Sequence, residues 1–399
     1  MLIKLLISIR KLITLNLRRY NMRERALNCL YAFFDKSPRL LKCFFARAAG
    51  LFINLYISSL KTPSFIVFFV TNKCNADCRH CFYRASLNNE KNEFKLAEIE
   101  KIARSLKNKN SLLLTGGEPF LNNDLTGICK IFSRLGRTKK IRIATNGFLT
   151  ERILSCAEEL LKDKINLTMQ VSLDALGDRH DEIRGLKGLF ARAVCTIERL
   201  KALQKRFPLL EVDVIATVTK ASCGEIGALR DYVMKRFGLR LGLVFVRELG
   251  QGVFGLDSKY LSGIAALEDS AKLPGEKILR DILREDAESF SRRREDFIRD
   301  FSRFIKQCEL DIIFKAKRPL FKCTAVKSDL VIYPDGNVSF CEIAKPFCNL
   351  KDYAYDVGRL WGSPEAESAR KVLDNCYCSH PCHMISSARH NSSVLLSLK

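Results

Sequence analysis

The chain has 399 residues, 47% of them hydrophobic, enough to build one large barrel or two ordinary domains around a sizeable core. Its 16 cysteines are unevenly scattered along a chain without a convincing secretion signal, which argues against a disulfide scaffold and for a reducing cytosol with metal or cluster ligands. A net charge of +23 suggests an anionic partner without choosing among nucleic acid, an acidic membrane surface and a phosphorylated substrate.

Residues 1–60 are basic and apolar together. Lys4, Ser8, Lys11 and Arg18 share one helical face, with Leu5, Leu6, Ile9, Leu12 and Ile13 largely opposite, the pattern of an amphipathic helix. Eleven Lys and Arg stand against Glu24 and Asp35, so +9 of the charge lies in this segment. A second apolar patch over residues 41–60 is broken by Lys42, Arg47 and Asn54. Neither stretch reaches the ~18 uninterrupted apolar residues of a membrane span. Lysines and Arg10 also interrupt what a signal peptide over residues 1–17 would need. Two readings stand: a helix lying on an anionic membrane surface, or a helical arm packed on the barrel or on a second subunit.

From residue 64 to about 246, strand and helix patterns alternate. Strands are expected at 64–70, 111–114, 140–144, 167–173, 210–218 and 241–246. Helical patterns lie between them, such as 94–106, with Phe94, Leu96, Ile99, Ile102 and Leu106 on one face, and 189–205. Six βα units in series imply a parallel sheet, open or closed. Gly250, Gly252 and Gly255 then mark a loop, and residues 275–314 are highly charged with helical periodicity, SRRRED at 291–296 included. This reads as a solvated helical linker, with a nucleic-acid surface as the minority alternative. Residues 321–382 are cysteine-rich, and 330–333 and 338–341 flank Pro334-Asp335-Gly336-Asn337 as a hairpin. No fold is expected for the polar tail from Met384.

The apolar run at 64–70 leads into TNKCNADCRHCFY, residues 71–83, where Cys74, Cys78 and Cys81 are spaced C-x3-C-x2-C. They therefore fall at the carboxyl end of a strand, where α/β barrels keep their chemistry. A four-iron cluster normally takes four thiolates; three would leave one iron open. Zinc is the main competitor, with His80 as a fourth ligand, although His80 and Cys81 are adjacent and hard to aim at one ion. A disulfide would leave one cysteine unpaired. The later strands end in polar turns too: Thr115-Gly116-Gly117-Glu118-Pro119, Thr145-Asn146-Gly147, and Ser172-Leu173-Asp174 followed by His180-Asp181-Glu182-Ile183-Arg184-Gly185. Paired glycines let backbone come close to a ligand, and Arg184 is suited to clamp a carboxylate. A structural turn, a surface ion pair and a structural histidine are the ordinary alternatives. Placement decides for function, because each turn follows a strand and all converge on one face.

CNADCRHC, TGGEP, TNG and SLD with HDEIRG, in this order over about residues 64–246, resemble the radical S-adenosylmethionine (SAM) enzymes. The resemblance implies an α/β fold with a partial (β/α)6 barrel. It implies a [4Fe–4S] cluster on Cys74, Cys78 and Cys81, with the cofactor's methionine amine and carboxylate on the open iron. Gly116, Gly117 and Glu118 are then expected to border the amino group, Ser172 and Arg184 the carboxylate, and Asn146 the ribose side. His80 takes the place of the family's usual aromatic residue over the adenine, which residues 214–217 would flank by backbone. The implied activity is reductive cleavage of SAM to a 5′-deoxyadenosyl radical, which abstracts hydrogen from an unactivated carbon. It also implies an electron-donating protein of flavodoxin or ferredoxin type.

The C-terminal cysteines resemble the SPASM/twitch extension that holds auxiliary iron–sulfur clusters. The matching features are Cys323, the hairpin ending in Cys341, the VGRLW stretch at 357–361, and Cys376, Cys378 and Cys382. Five cysteines suffice for one auxiliary [4Fe–4S] cluster, with Cys348 a lesser candidate and a zinc ribbon the competing reading. The expected organisation is an arm at 1–60, a barrel at 61–250, a charged linker at 251–320, an auxiliary domain at 321–385 and a tail at 386–399. For substrate, the basic arm favours a small molecule, lipid or glycan, with the enzyme in the cytoplasm or peripheral at a membrane. A peptide maturase and an RNA-modifying enzyme are the alternatives. Nucleic acid is disfavoured, since no RNA-binding module or interleaved aromatic pattern is present.

Overall fold

The computed structural model describes residue 51 and residues 55–89, 93–247, 253–254, 267–289, 297–316, 323–374, 376–378, 384 and 387–388. The amphipathic pattern expected near the N-terminus lies outside the described residues.

Strands and helices alternate through the first part of the fold. The order is β1 (Phe65–Thr71), α1 (Leu96–Ser105), β2 (Asn110–Gly116), α2 (Leu125–Leu135), β3 (Thr138–Thr145), α3 (Thr150–Lys162) and β4 (Leu167–Ser172). Two helices follow, α4 (Gly177–Arg184) and α5 (Leu189–Arg206), then β5 (Leu210–Val218), α6 (Ile226–Phe237) and β6 (Leu241–Phe245). Beyond them lie β7 (Val253–Phe254), α7 (Glu276–Ser289), α8 (Phe297–Asp311), β8 (Asp329–Ile332), β9 (Asn337–Ser339), β10 (Cys348–Asn349) and β11 (Tyr377–Cys378).

β1 to β6 pair in sequence order, all parallel. Alternation along each strand sorts the side chains. Leu167, Met169 and Val171 of β4, and Leu210, Val212, Val214 and Ala216 of β5, enter the main core, together with Ile153, Leu160, Ile197 and Leu200 of α3 and α5. The alternate positions of these strands face the lumen.

The C-terminal hairpin is not set apart from the barrel. β8 lies parallel to β1, with Phe65 opposite Asp329 and Phe68 opposite Ile332, and β9 and β10 continue the sheet antiparallel to a total of nine strands. Gly336, at φ +92, makes the expected turn between β8 and β9. The segment expected as a solvated linker is helical, but its helices are packed. Leu279, Ile282 and Leu310, with Ile313 just beyond α8, belong to the main core. Arg284 and Glu285 of α7 sit on the face those apolar residues leave free, whereas Glu309 of α8 is buried and paired with Lys306.

Candidate active site

After Thr71 the chain leaves β1 and forms the cysteine loop, which residues following β2, β3 and β4 help to hold. Asn88 brackets Cys74: its Oδ1 accepts from Cys74 N at 2.9 Å and its Nδ2 donates to Cys74 O at 3.2 Å. From the end of β2, Gly117 N donates to Thr71 O at 2.9 Å and Glu118 N to Lys73 O at 2.8 Å. The two glycines are required by this contact. A Cβ at Gly116 would lie 2.2 Å from Thr71 O, and one at Gly117 2.0 Å from Lys73 O. The close approach that the glycine pair permits is thus made first of all by the cysteine loop's own backbone.

From the end of β3, Asn146 Nδ2 donates to Asn75 Oδ1 at 2.8 Å, and Asn146 Oδ1 accepts from Phe148 N at 2.9 Å. Both ends of this amide are therefore engaged in fixing the loops. Past β4, the carbonyls of Arg184 and Ile183 accept from Asp77 N at 3.0 Å and Arg79 N at 3.3 Å. Gly185 ends α4 at φ +63, and a Cβ there would lie 2.8 Å from Asp77 O. The structure thus brings the GGEP, TNG and HDEIRG motifs into direct contact with the three-cysteine loop.

The charges beneath the loop form one buried group. Arg184 is 7% exposed; its Nε donates to Asp174 Oδ2 at 2.8 Å and one terminal nitrogen lies 3.9 Å from Cys78 Sγ. It is no surface ion pair. Asp174 Oδ1 accepts from Thr217 N at 2.8 Å, and His80 Nε2 stands 3.6 Å from Asp174 Oδ2. Burial opposes the Asp174 charge, but Arg184, with help from His80 and His180, outweighs it and holds the carboxyl at about 2. Burial, the larger influence, lowers His80 and His180 to about 4, so both imidazoles are neutral at pH 7. Asp174 N donates to His180 Nδ1 at 3.0 Å, which fixes that tautomer and makes His180 a structural histidine. Sequence reasoning placed Asp174 in the SLD motif but gave it no role, and nothing in the sequence singled out Asn75 or Asn88.

Glu118 is fully buried. Burial pushes its carboxyl up to about 7, against donors from Asn146 N and Thr145 Oγ1, both at 2.8 Å, and Phe120 N at 3.3 Å. Its side chain ties β2 to β3, while its backbone ties β2 to the loop.

The donor set suits an iron–sulfur cluster better than zinc. The three cysteines are unbridged and partly exposed. Burial pushes Cys74 up to about 11 and Cys81 up to about 12, and raises Cys78 as well. A cationic metal core is what exchanges for such protons. His80, the fourth ligand a zinc site would use, is turned to Asp174. Among the described residues no three His, Cys, Asp or Glu side chains are close enough to share one metal ion.

The lumen below has two unlike walls. Lys140 pairs with Glu211, and Arg142 lies 3.5 Å from Asp213. The Arg142 and Asp213 side chains keep 43% and 40% of their area open, although they sit on central strands, so solvent reaches into the lumen. Opposite stand Val67, Phe69, Tyr83, Val331 and Tyr333. Among the C-terminal cysteines, Cys323, Cys341 and Cys376 are partly buried, and Cys348 lies on β10 opposite Val338. β11 pairs with β7, tying the Cys378 backbone to the chain beyond β6. The side chains of Cys378 and Cys382 lie outside the described residues.

Residues 68–219 match the radical SAM superfamily. The match covers 152 of the 399 residues, so the likeness to this superfamily belongs to this segment alone. Domains of this family are enzyme domains that use SAM and a [4Fe–4S] cluster. Among curated proteins, the chain is 28% identical over 225 residues to Fe-coproporphyrin III synthase of Methanosarcina barkeri, covering 54% of this chain and 51% of that protein. It is 33% identical over 146 residues to the antilisterial bacteriocin subtilosin biosynthesis protein AlbA of Bacillus subtilis, covering 35% and 30%. The chain thus spans about half or less of the length of these relatives. Among solved structures, Streptococcus suis SuiB bound to SAM has a TM-score of 0.56 at 18% identity, over 78% of this chain and 68% of that one. Native anSMEcpe with bound AdoMet has a TM-score of 0.54 at 19% identity, over 78% and 83%. At these identities the likeness is one of fold.

Proposed function

We propose that the protein is a radical SAM enzyme whose cluster is held by Cys74, Cys78 and Cys81. The observation that supports this most is the convergence of three strand-end motifs on the cysteine loop. When bound, the cluster and SAM supply one-electron bond cleavage and hydrogen abstraction. The chain's own groups bind and orient. Arg184 sets a positive charge beside Cys78 and, with Ser172, receives the cofactor's carboxylate. Backbone at Gly116, Gly117 and Glu118 borders the amino group. Asn146 acts by holding the loop in register toward the ribose side, and His80, neutral, offers a flat ring to the adenine. Replacing all three cysteines with Ala should abolish reductive formation of 5′-deoxyadenosine, and undiminished product would sink the assignment.

The lumen favours a polar substrate with hydrogen-bonding groups. Laying hydrocarbon over the Lys140–Glu211 and Arg142–Asp213 pairs would strip them of water, at a cost the chain would have to recover elsewhere. This weighs for a polar small molecule, glycan or peptide and against a lipid tail entering the barrel. An electron donor of flavodoxin or ferredoxin type would serve the cluster.

A second cluster on Cys323, Cys341, Cys376, Cys378 and Cys382 extends this reading. Wild type should then bind about eight irons, and the triple Ala variant of the first site about four. Zinc in place of the residual iron would decide for a ribbon. Contact with an anionic membrane surface through residues 1–60 is the last part of the proposal. It is supported by the +9 charge of that segment and by Leu51 and Leu55, which are 63% and 59% exposed while Ile57 is buried.

A further inference from the structure

One ion pair joins the two edges of the open sheet above the cysteine loop. β6 forms one edge and β9 and β10 the other. Arg247 lies just beyond β6 and Glu342 just beyond β9. Arg247 stands 2.9 Å from Glu342 Oε2, with the two side chains 12% and 6% exposed. The same guanidinium lies 4.2 Å from the centroid of the Phe82 ring. Phe82 adjoins Cys81, and Glu342 adjoins Cys341. On the other side, the Tyr333 hydroxyl donates to Glu342 O at 3.4 Å. The Tyr333 ring is stacked 6.3 Å from Tyr83 and lies 5.0 Å from Phe69. The Phe82-Tyr83 pair, directly after the third loop cysteine, is therefore gripped from both sides by residues that also hold the 341–342 stretch.

We propose that Arg247 is a positioning residue that fixes the Cys341 stretch against the Cys81 end of the cysteine loop, giving the two cysteine sites one set spacing. The proposal rests on the reading that both cysteine groups hold clusters. A guanidinium suits this role because it can lie over the Phe82 ring while its edge pairs with Glu342; an ammonium cannot do both. A buried ion pair is also a device of registry more than of stability, since the loss of either partner strands the other charge.

The test uses anaerobically reconstituted full-length protein carrying Arg247→Glu, Glu342→Arg, both together, or Arg247→Lys. Hydrogen exchange is read at residues 81–83 and 339–343, with the paramagnetic resonance spectrum of the reduced protein with SAM, and melting temperature. Each single reversal should speed exchange in both segments by about tenfold and alter the spectrum, and the double reversal should bring exchange at 339–343 back to within about twofold while 81–83 stays fast, because a carboxylate at 247 cannot replace the guanidinium over Phe82. Exchange that rises only at 339–343, or a lower melting temperature with an unchanged spectrum, would overturn the proposal and leave the pair a local stabiliser. If the reversals do not fold, Arg247→Lys decides: exchange should rise at 81–83 with little change in melting temperature, and wild-type exchange there would refute the role. Wild-type protein that takes up no iron would defeat the cluster reading instead, while the exchange comparison would still judge the clasp.

Discussion

Arg184 is a structural cation paired with Asp174, and its proposed second role, receiving a cofactor carboxylate, separates from the first by substitution. Asp174→Ala leaves the buried guanidinium without its partner, which should cost about 3–5 kcal/mol in unfolding experiments. Arg184→Ala should weaken SAM binding about 10- to 150-fold, the value of a partly buried charge-assisted contact. Calorimetry giving an unchanged dissociation constant in a folded Arg184→Ala protein would assign the residue to Asp174 alone. Glu118 yields a prediction in pH. Burial raises its folded pKa from the ordinary 4.5 to about 7, so its contribution to stability is full below 4.5 and is lost as pH rises through 7. The loss should total about 3 kcal/mol and level off above pH 7. Melting curves from pH 5 to 8 should show this slope in wild type and its absence in Glu118→Gln; parallel profiles would mean that Glu118 stays ionised throughout.

At the scale of elements, the cysteine loop is a surface moulded on glycine. Gly117→Ala would place a methyl group 2.0 Å from Lys73 O, and since both sides are backbone neither can step aside cheaply. We expect this variant to lose most of the iron of the first site and keep that of the C-terminal site; full iron at both would show that the loop can shift. The same element shows what the sequence made legible. The strand at 210–218 coincides with β5, and the other five agree to within a few residues at each end, because an outer face packed under helices imposes period-two apolar patterns on them. The motifs at the strand ends were equally visible. The Asp174 hub was not, since its partners Arg184, Thr217 and His80 come from three separate segments and meet only when β4 and β5 pair. The packing of α7 and α8 was hidden by charge: three or four apolar positions per helix suffice to dock it, and they are outnumbered in the sequence. Nothing local in DLVI at 329–332 says that it pairs with β1 instead of forming its own small sheet.

For the whole molecule, surface association is the main open prediction. No helix among the described residues is long and apolar enough to cross a membrane, so any contact would be peripheral. Each Lys or Arg near an anionic surface contributes about 1 kcal/mol, and the exposed Leu51 and Leu55 lie at the end of the basic segment. Full-length protein should co-sediment with anionic vesicles at low salt, less so as salt rises, and not after deletion of residues 1–19. A deletion that lowers the melting temperature and leaves vesicle binding as it was would make the arm a packed one.

The place of β8 beside β1 has a consequence for biosynthesis. Ser64 reaches Ser328, a partner 264 positions later. At ~5–20 residues per second, β1 emerges from the ribosome about 13–50 s before the strand that covers its free edge. Through that interval an apolar strand, FIVFFVT, keeps an unpaired edge next to three cysteines. The nascent barrel is thus exposed to aggregation and to oxidation until the last fifth of the chain arrives. Ribosome-bound chains stalled at residue 320 should depend on holding chaperones for solubility, whereas chains stalled beyond residue 375 with β8 outside the exit tunnel should be released from that dependence.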